Sequence, residues 1–227
     1  MEIDASSPAP DLAALFQRTA GRYRECGRFA HNYVAAKLHR DPVNREILAL
    51  AAKEAFGSVV DIGCGRGQLG VALLEAGLAR SVAGLDGHAG LVQQARWAAT
   101  GLALSANVQD LAECRELPSA ETILLIDVLY QLRPRVQMGL LQAAIRASQQ
   151  RIIIRTLDPD RGLRSVLTVW LEKLMRSVSP HSGKHVVACP ISSIVQILKE
   201  EGFAASVRPC WQGTPFANVL IIGRPIG

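Results

Sequence analysis

The segment Val59-Val60-Asp61-Ile62-Gly63-Cys64-Gly65-Arg66-Gly67-Gln68-Leu69-Gly70 constrains this chain more than any other. Two β-branched residues lead into a carboxylate, then into a run of alternate glycines. Leu69, Val71, Leu73, Leu74 and Ala76 then recur at helical spacing, and Gly77 follows as a stop. The pattern predicts a strand, a tight turn and a helix. Glycines in such a turn admit positive φ and let a ligand approach the backbone. The helix start offers unpaired N–H groups. A pocket of nucleotide size is the expected product.

Two patterns overlap here. Gly65-x-Gly67-x-x-Gly70 fits the short dinucleotide fingerprint. Asp61-x-Gly63-x-Gly65-x-Gly67 fits the longer pattern of class I S-adenosylmethionine-dependent methyltransferases, and the segment resembles that family. Charge separates the two. A pyrophosphate would be repelled by Asp61, whereas S-adenosylmethionine carries an ammonium and a sulfonium and no phosphate. A bare βα turn without ligand is the plain alternative, and the motifs that follow in order weigh against it.

Ser81-Val82-Ala83-Gly84-Leu85-Asp86 reads as a second strand tipped by an acid and followed by Gly87. The interval from Asp61 to Asp86 suits one strand–helix–strand unit, and a carboxylate there can accept from both ribose hydroxyls. Leu104 to Leu111 reads as a short strand closing on Asp110. The family resemblance implies that Asp110 accepts from the adenine amino group and that Leu111 supplies a backbone donor. Asp110 as the cap of a short helix is the alternative. Thr122 to Leu132 begins as a nearly continuous apolar run, the mark of a strand buried on both faces. It ends at Asp127, a candidate for the methionyl ammonium or a substrate proton. Tyr130 lies close behind, beside the methyl group or in the core.

The resemblance extends over residues 40 to 225. It implies an α/β, Rossmann-like sheet of seven strands with the last antiparallel, and helices on both faces. The cofactor it implies is S-adenosyl-L-methionine, with S-adenosyl-L-homocysteine as product. Cofactor contacts are expected from Asp61, Gly63, Cys64, Gly65, Gly67, Asp86, Gly87, Asp110, Leu111 and Asp127.

Around this unit, residues 1–40 read as an N-terminal helical extension and 41–227 as the methyltransferase domain. Asp41-Pro42 opens a helix as N-cap and first residue. The segment 11–38 carries Arg18, Arg22, Arg24 and Arg28 among aromatic residues. It reads as a lid, with a solvated helix face whose aromatics pack on the core as the alternative, and the arginines suggest an anionic substrate or an acyl carrier protein. Pro134 opens a helix to about Ser148, and Arg151 to Arg155 is the fifth strand. Ile191 to Glu200 is an amphipathic helix, and Ala204–Cys210 and Asn218–Ile222 pair as antiparallel strands. An insertion at about 158–190 holds an apolar helical stripe, read as a lid, a dimer contact or a membrane-facing helix in that order of preference. Its His181 and His185 are candidate general bases, with surface histidines as the bland alternative. Arg155 is a candidate for a substrate anion, or an outward ion pair.

Composition excludes several classes. The net charge of +5 is modest and no basic block stands out, so nucleic acid is not expected. No Asn-Pro-Pro-Tyr motif follows the fourth strand. No apolar run reaches membrane-spanning length. The five cysteines, at 26, 64, 114, 189 and 210, form no metal-binding pair and suit a reducing cytoplasm. No metal site is expected. Together these features point to methylation of a small-molecule or carrier-bound acceptor, at oxygen in preference to nitrogen or carbon. A non-catalytic cofactor-binding scaffold, an RNA methyltransferase and an NAD-dependent oxidoreductase are the rivals.

Overall fold

A computed structural model describes residues 11–114, 116–160 and 186–227. Most of the 158–190 insertion, with His181 and His185, lies outside the described residues.

One seven-stranded sheet organises the chain. Its strands are β1 (Ser58–Ile62), β2 (Ser81–Asp86), β3 (Leu104–Val108), β4 (Ala120–Ile126), β5 (Ser148–Leu157), β6 (Phe203–Pro209) and β7 (Asn218–Pro225). Their order is β3-β2-β1-β4-β5-β7-β6, with only β7 antiparallel to its neighbours. The helices are α1 (Leu12–Gly21), α2 (Arg28–Arg40), α3 (Pro42–Lys53), α4 (Gln68–Glu75), α5 (Ala89–Ala98), α6 (Pro134–Ala147) and α7 (Ile191–Glu200). This is the Rossmann-like arrangement expected from the sequence.

Period-two alternation sorts the central strands onto two cores. Leu124, Ile153, Leu220 and Ile222 pack on one face with α1, α2, α3 and α4. Ile123, Leu125, Ile152, Ile154, Val219 and Ile221 pack on the other, with α6 and α7. The parity matters for the site. Arg155 lies two residues beyond Ile153, so it shares the face covered by α1–α3.

Local signals fix the helix ends. Asp11 Oδ1 accepts from Ala13 N (3.0 Å) and Ala14 N (3.3 Å) at the start of α1. Asp41 Oδ1 accepts from Val43 N (3.2 Å), with Pro42 as first residue of α3. Gly77 (φ 67°) and Gly202 (φ 80°) follow α4 and α7 in left-handed conformation, as Gly stops do. Several boundaries differ from expectation, three of them for a visible reason. β5 starts at Ser148, where Ala120↔Ser148 pairing begins, so α6 stops one residue short. β3 ends at Val108, because its pairing with β2 ends at Asp86 and leaves Asp110 in the following turn. β7 reaches Pro225 because β6 pairs with it along that length.

α1 and α2 are continuous with the core rather than laid over it: Leu15, Phe16, Val34 and Leu38 are fully buried. Arg22 clasps them to the sheet. Its Nε donates to Glu75 of α4, and its Nη1 donates to the carbonyls of Ala98 (3.2 Å) and Thr100 (3.0 Å). Arg22, one of the arginines suggested to meet an anionic partner, thus has its Nε and Nη1 engaged inside the fold. Arg22→Ala removes a charge-assisted bond and two carbonyl partners. It is expected to destabilise the protein by about 1.5–3 kcal/mol, a fall in melting temperature of roughly 3–10 °C for a chain of this size. Thermal unfolding followed by circular dichroism checks this; an unchanged melting temperature would contradict the clasp.

Candidate functional site

The site occupies the carboxyl ends of β1, β2, β4 and β5, where the strand order reverses between β1 and β4. In open α/β sheets ligands bind at such a point. Three adjoining cavities lie there.

The first, of ≈ 290 Å³, is lined by Asp61, Gly63, Cys64, Gly65, Gln68, Asp86, Asp127 and residues of α2 and α3. Gly63, Gly65 and Gly67 all have positive φ, as the turn was expected to need. At Gly63 a Cβ would meet Val128 Cγ2 at 2.3 Å, so no side chain fits between the turn and the loop after β4. Gly65 N donates to Asp86 Oδ2 (2.9 Å) and His88 N donates to Asp86 Oδ1 (2.8 Å). The carboxylate is thereby fixed, with a lone pair on each oxygen still open to a ligand hydroxyl. Asp61 at the tip of β1 is 4% exposed. Burial, and then the charge of Asp86, pushes its carboxyl up to about 7. Among the described residues no cation pairs with it. The Cys64 thiol is likewise pushed up, by burial and then by Asp61 and Asp86, which makes it an inert part of the wall.

The second cavity, of ≈ 330 Å³, adjoins the first at Gly63, Asp86 and His88 and adds Gly87, Asp110 and Leu111. Asp110 is exposed, and its Oδ1 accepts from Ala112 N (2.8 Å). It therefore caps the turn through Glu113, the alternative weighed from sequence, while also lining the cavity.

The third, of ≈ 440 Å³, meets the first at Tyr33, Lys37 and Asp127. It continues past Arg40, Asp41, Tyr130, Arg155, Phe216 and Asn218. Tyr130 is 3% exposed, so it is both a core ring and a cavity wall.

At the junction stands a network of buried charges. Arg155 Nη1 donates to Asp127 Oδ2 (2.7 Å) and to Asp41 Oδ2 (3.0 Å). Lys37 Nζ lies 2.8 Å from Asp41 Oδ2 and 3.8 Å from Asp127 Oδ2. Desolvation pulls the Lys37 ammonium down, but Asp127 and Asp41 outweigh it and hold the group above its ordinary range. Arg155 is raised by the same balance. Desolvation pushes Asp41 up, while Lys37 and Arg155 bring it below the usual carboxylate range. Two carboxylates thus face two cations. Arg155, read from sequence as a partner for a substrate anion, has its Nη1 engaged by these two carboxylates.

Asp127 itself adopts φ 60°, the one non-glycine with positive φ among the described residues. Three bonds hold it there. Its N–H donates to Arg155 O (3.0 Å), Gln131 Nε2 donates to its carbonyl, and Arg155 holds Oδ2. Its Oδ1 is buried with no hydrogen-bond partner, and so is Gln68 Oε1; both residues line the first cavity. Orphaned acceptors of this kind are the fit expected for a ligand that brings N–H donors.

Sequence reasoning missed Lys37, Arg40 and the second role of Asp41. Asp41 was legible as a cap, but its partner Arg155 lies 114 residues away. No local pattern links them. Tyr33 was read only as one of several aromatics. Its ring lies 4.4 Å from the Arg66 guanidinium, which pins α2 over the glycine turn.

Comparison with known proteins agrees with this geometry. Residues 59–150 match the family model of a methyltransferase domain. No curated protein matches the chain in sequence. Among solved structures, magnesium protoporphyrin IX methyltransferase from Synechocystis PCC 6803 with bound SAH superposes with a TM-score of 0.63 at 17% identity, over 94% of this chain and 97% of that one. An O-methyltransferase family protein from Burkholderia thailandensis gives 0.61 at 17%, over 95% and 70%. A chain from the complex between the Haloferax volcanii Trm112 methyltransferase activator and a methyltransferase gives 0.66 at 16%, over 97% and 100%. These likenesses establish the fold, and within it residues 59–150 carry the matched methyltransferase domain.

Proposed function

We propose that the chain methylates oxygen on a small-molecule acceptor held in the third cavity. The observation that carries this reading is the junction of the first and third cavities at Tyr33, Lys37 and Asp127. A cofactor in one and an acceptor in the other would meet there. S-adenosylmethionine supplies an electrophilic methyl group when bound. The residues would hold it by charge and hydrogen bonding: Asp86 for the ribose hydroxyls, and Asp127 Oδ1 with Asp61 for the cationic amino acid end. Cys64, Gly63, Gly65 and Gly67 form the wall against its backbone-facing edge, and Gly87, Asp110 and Leu111 border the base. Lys37 stands where an acceptor oxygen would sit, and an ammonium there favours the anionic form of that oxygen. The buried Tyr130 ring and the charge network would help to align the reactants, the larger part of catalysis for a displacement of this type. α2, whose residues line both cavities, would act as the cover of the site.

The cavity's dimensions support a free small molecule over an RNA base or a carrier-bound chain. Incubation of the protein with methyl-labelled S-adenosylmethionine and separate pools of phenols, carboxylic acids, amines, acyl carrier protein conjugates and total tRNA tests the reading. Label in an ether or ester of a small acceptor is expected; label confined to RNA, or in an N-methyl product, contradicts it.

Two further outcomes follow from the cofactor side. Asp86→Ala removes the partner of two backbone N–H groups and of the ribose, and S-adenosylhomocysteine should bind at least about tenfold weaker by calorimetry. Undiminished affinity would contradict the role of Asp86. The second concerns pH. Because the folded Asp61 carboxyl titrates at about 7 against an ordinary 3.8, the folded ligand-free protein holds a proton that the unfolded chain has released. Its stability therefore falls as pH rises between these values. An incoming ammonium favours ionised Asp61, so binding releases that proton below about pH 7. Affinity for S-adenosylhomocysteine should climb with pH by up to about tenfold per unit below 7 and then level off. Asp61→Asn should flatten the climb. A wild-type profile already flat over that range would place the ligand's cation elsewhere.

A further inference from the structure

The acceptor cavity carries a charge that the fold does not use. Lys37 and Arg155 are balanced by Asp41 and Asp127. Arg40 also lines this cavity, and among the described residues no carboxylate pairs with it. Arg40 follows Lys37 by one helical turn on α2, a rise of about 4.5 Å along the axis. The two cations therefore mark two points along one wall. Three rings line it as well, Tyr33 on the same helix and Tyr130 and Phe216 from other segments. Tyr33 is held in place by Arg66 at 4.4 Å, and Tyr130 is buried.

We infer that the acceptor is a planar aromatic acid: a ring system lying among Tyr33, Tyr130 and Phe216, with an anionic group on Arg40 and the methyl-accepting oxygen beside Lys37. This rests on the methyltransferase reading of the same cavity. A guanidinium presents a fixed fork that matches a carboxylate. Aromatic walls favour flat faces over saturated ones. Arg40 is exposed at the cavity mouth, where a carboxylate gains a charge-assisted bond that a neutral acceptor lacks. In the reaction the acceptor oxygen loses its proton to solvent on binding beside Lys37. An oxygen lone pair then forms the C–O bond as the C–S bond breaks, and its electron pair stays on sulfur as a neutral thioether.

Calorimetry on the full chain, first titrated with S-adenosylhomocysteine and then with hydroxynaphthoate, tests the inference. The neutral hydroxynaphthamide and the saturated hydroxydecalin carboxylate serve as controls. Hydroxynaphthoate should bind at least about tenfold tighter than either control. Arg40→Gln should bring acid and amide to equal affinity while S-adenosylhomocysteine binding stays within twofold of wild type. Equal binding of acid and amide to wild type, absence of binding by all three, or an acid preference that survives Arg40→Gln would overturn it. Equal binding of the naphthoate and its saturated counterpart would overturn the aromatic part. Failure of the first titration, with S-adenosylhomocysteine, is a separate result that counts against the cofactor site itself.

Discussion

A guanidinium that is 3% exposed needs carboxylates, and Arg155 has two. Much of the site's geometry follows from that need. Arg155 joins the loop after β4 to the cap of α3, and through Asp41 to Lys37 on α2. Removing one member of such a buried set leaves a charge unpaired, at a penalty of about 3–5 kcal/mol. The fold therefore holds α2, α3 and β4 in one relative position. It also holds Asp127 in a backbone conformation that an L-residue rarely adopts, and which is tolerated where surroundings over-determine it. With Oδ2 taken by Arg155, the other oxygen is left facing the cofactor cavity without a partner.

The two halves of the site are electrostatically opposite. Around the glycine turn, Asp61 and Asp86 are close enough for one to raise the other's carboxyl, and no cation relieves Asp61 among the described residues. A cationic ligand relieves it; a pyrophosphate would add to the strain. Across the junction, the network is neutral and Arg40 adds a positive charge. The first and third cavities thus differ in the sign of the charge they present.

The fold was largely legible because its signals are local. Alternating glycines, the Asp41-Pro42 start of α3 and the apolar runs of β4 and β5 each declare themselves within a few residues. The glycine turn was legible for the same reason, with the acids at the ends of β1 and β2. The acceptor side was not. Lys37 and Arg40 look like ordinary surface cations on an amphipathic helix until α2 is placed across the sheet ends. Arg155 reads as a free cation until period-two alternation turns it towards α3. Arg22 reads as a surface charge until its three partners, from α4 and the end of α5, are seen together. The Arg155–Asp41 and Arg22 pairings join residues separated by more than fifty positions, and no spacing rule encodes them.

The most direct measurement compares S-adenosylhomocysteine with its analogue lacking the amino group, by calorimetry at neutral pH, with NAD titrated alongside. If Asp127 Oδ1 and Asp61 receive an ammonium, the parent compound should bind at least about tenfold tighter than the deaminated one, and NAD should not compete. Equal affinity of the two analogues, or displacement of either by NAD, would contradict a site built to recognise a cation.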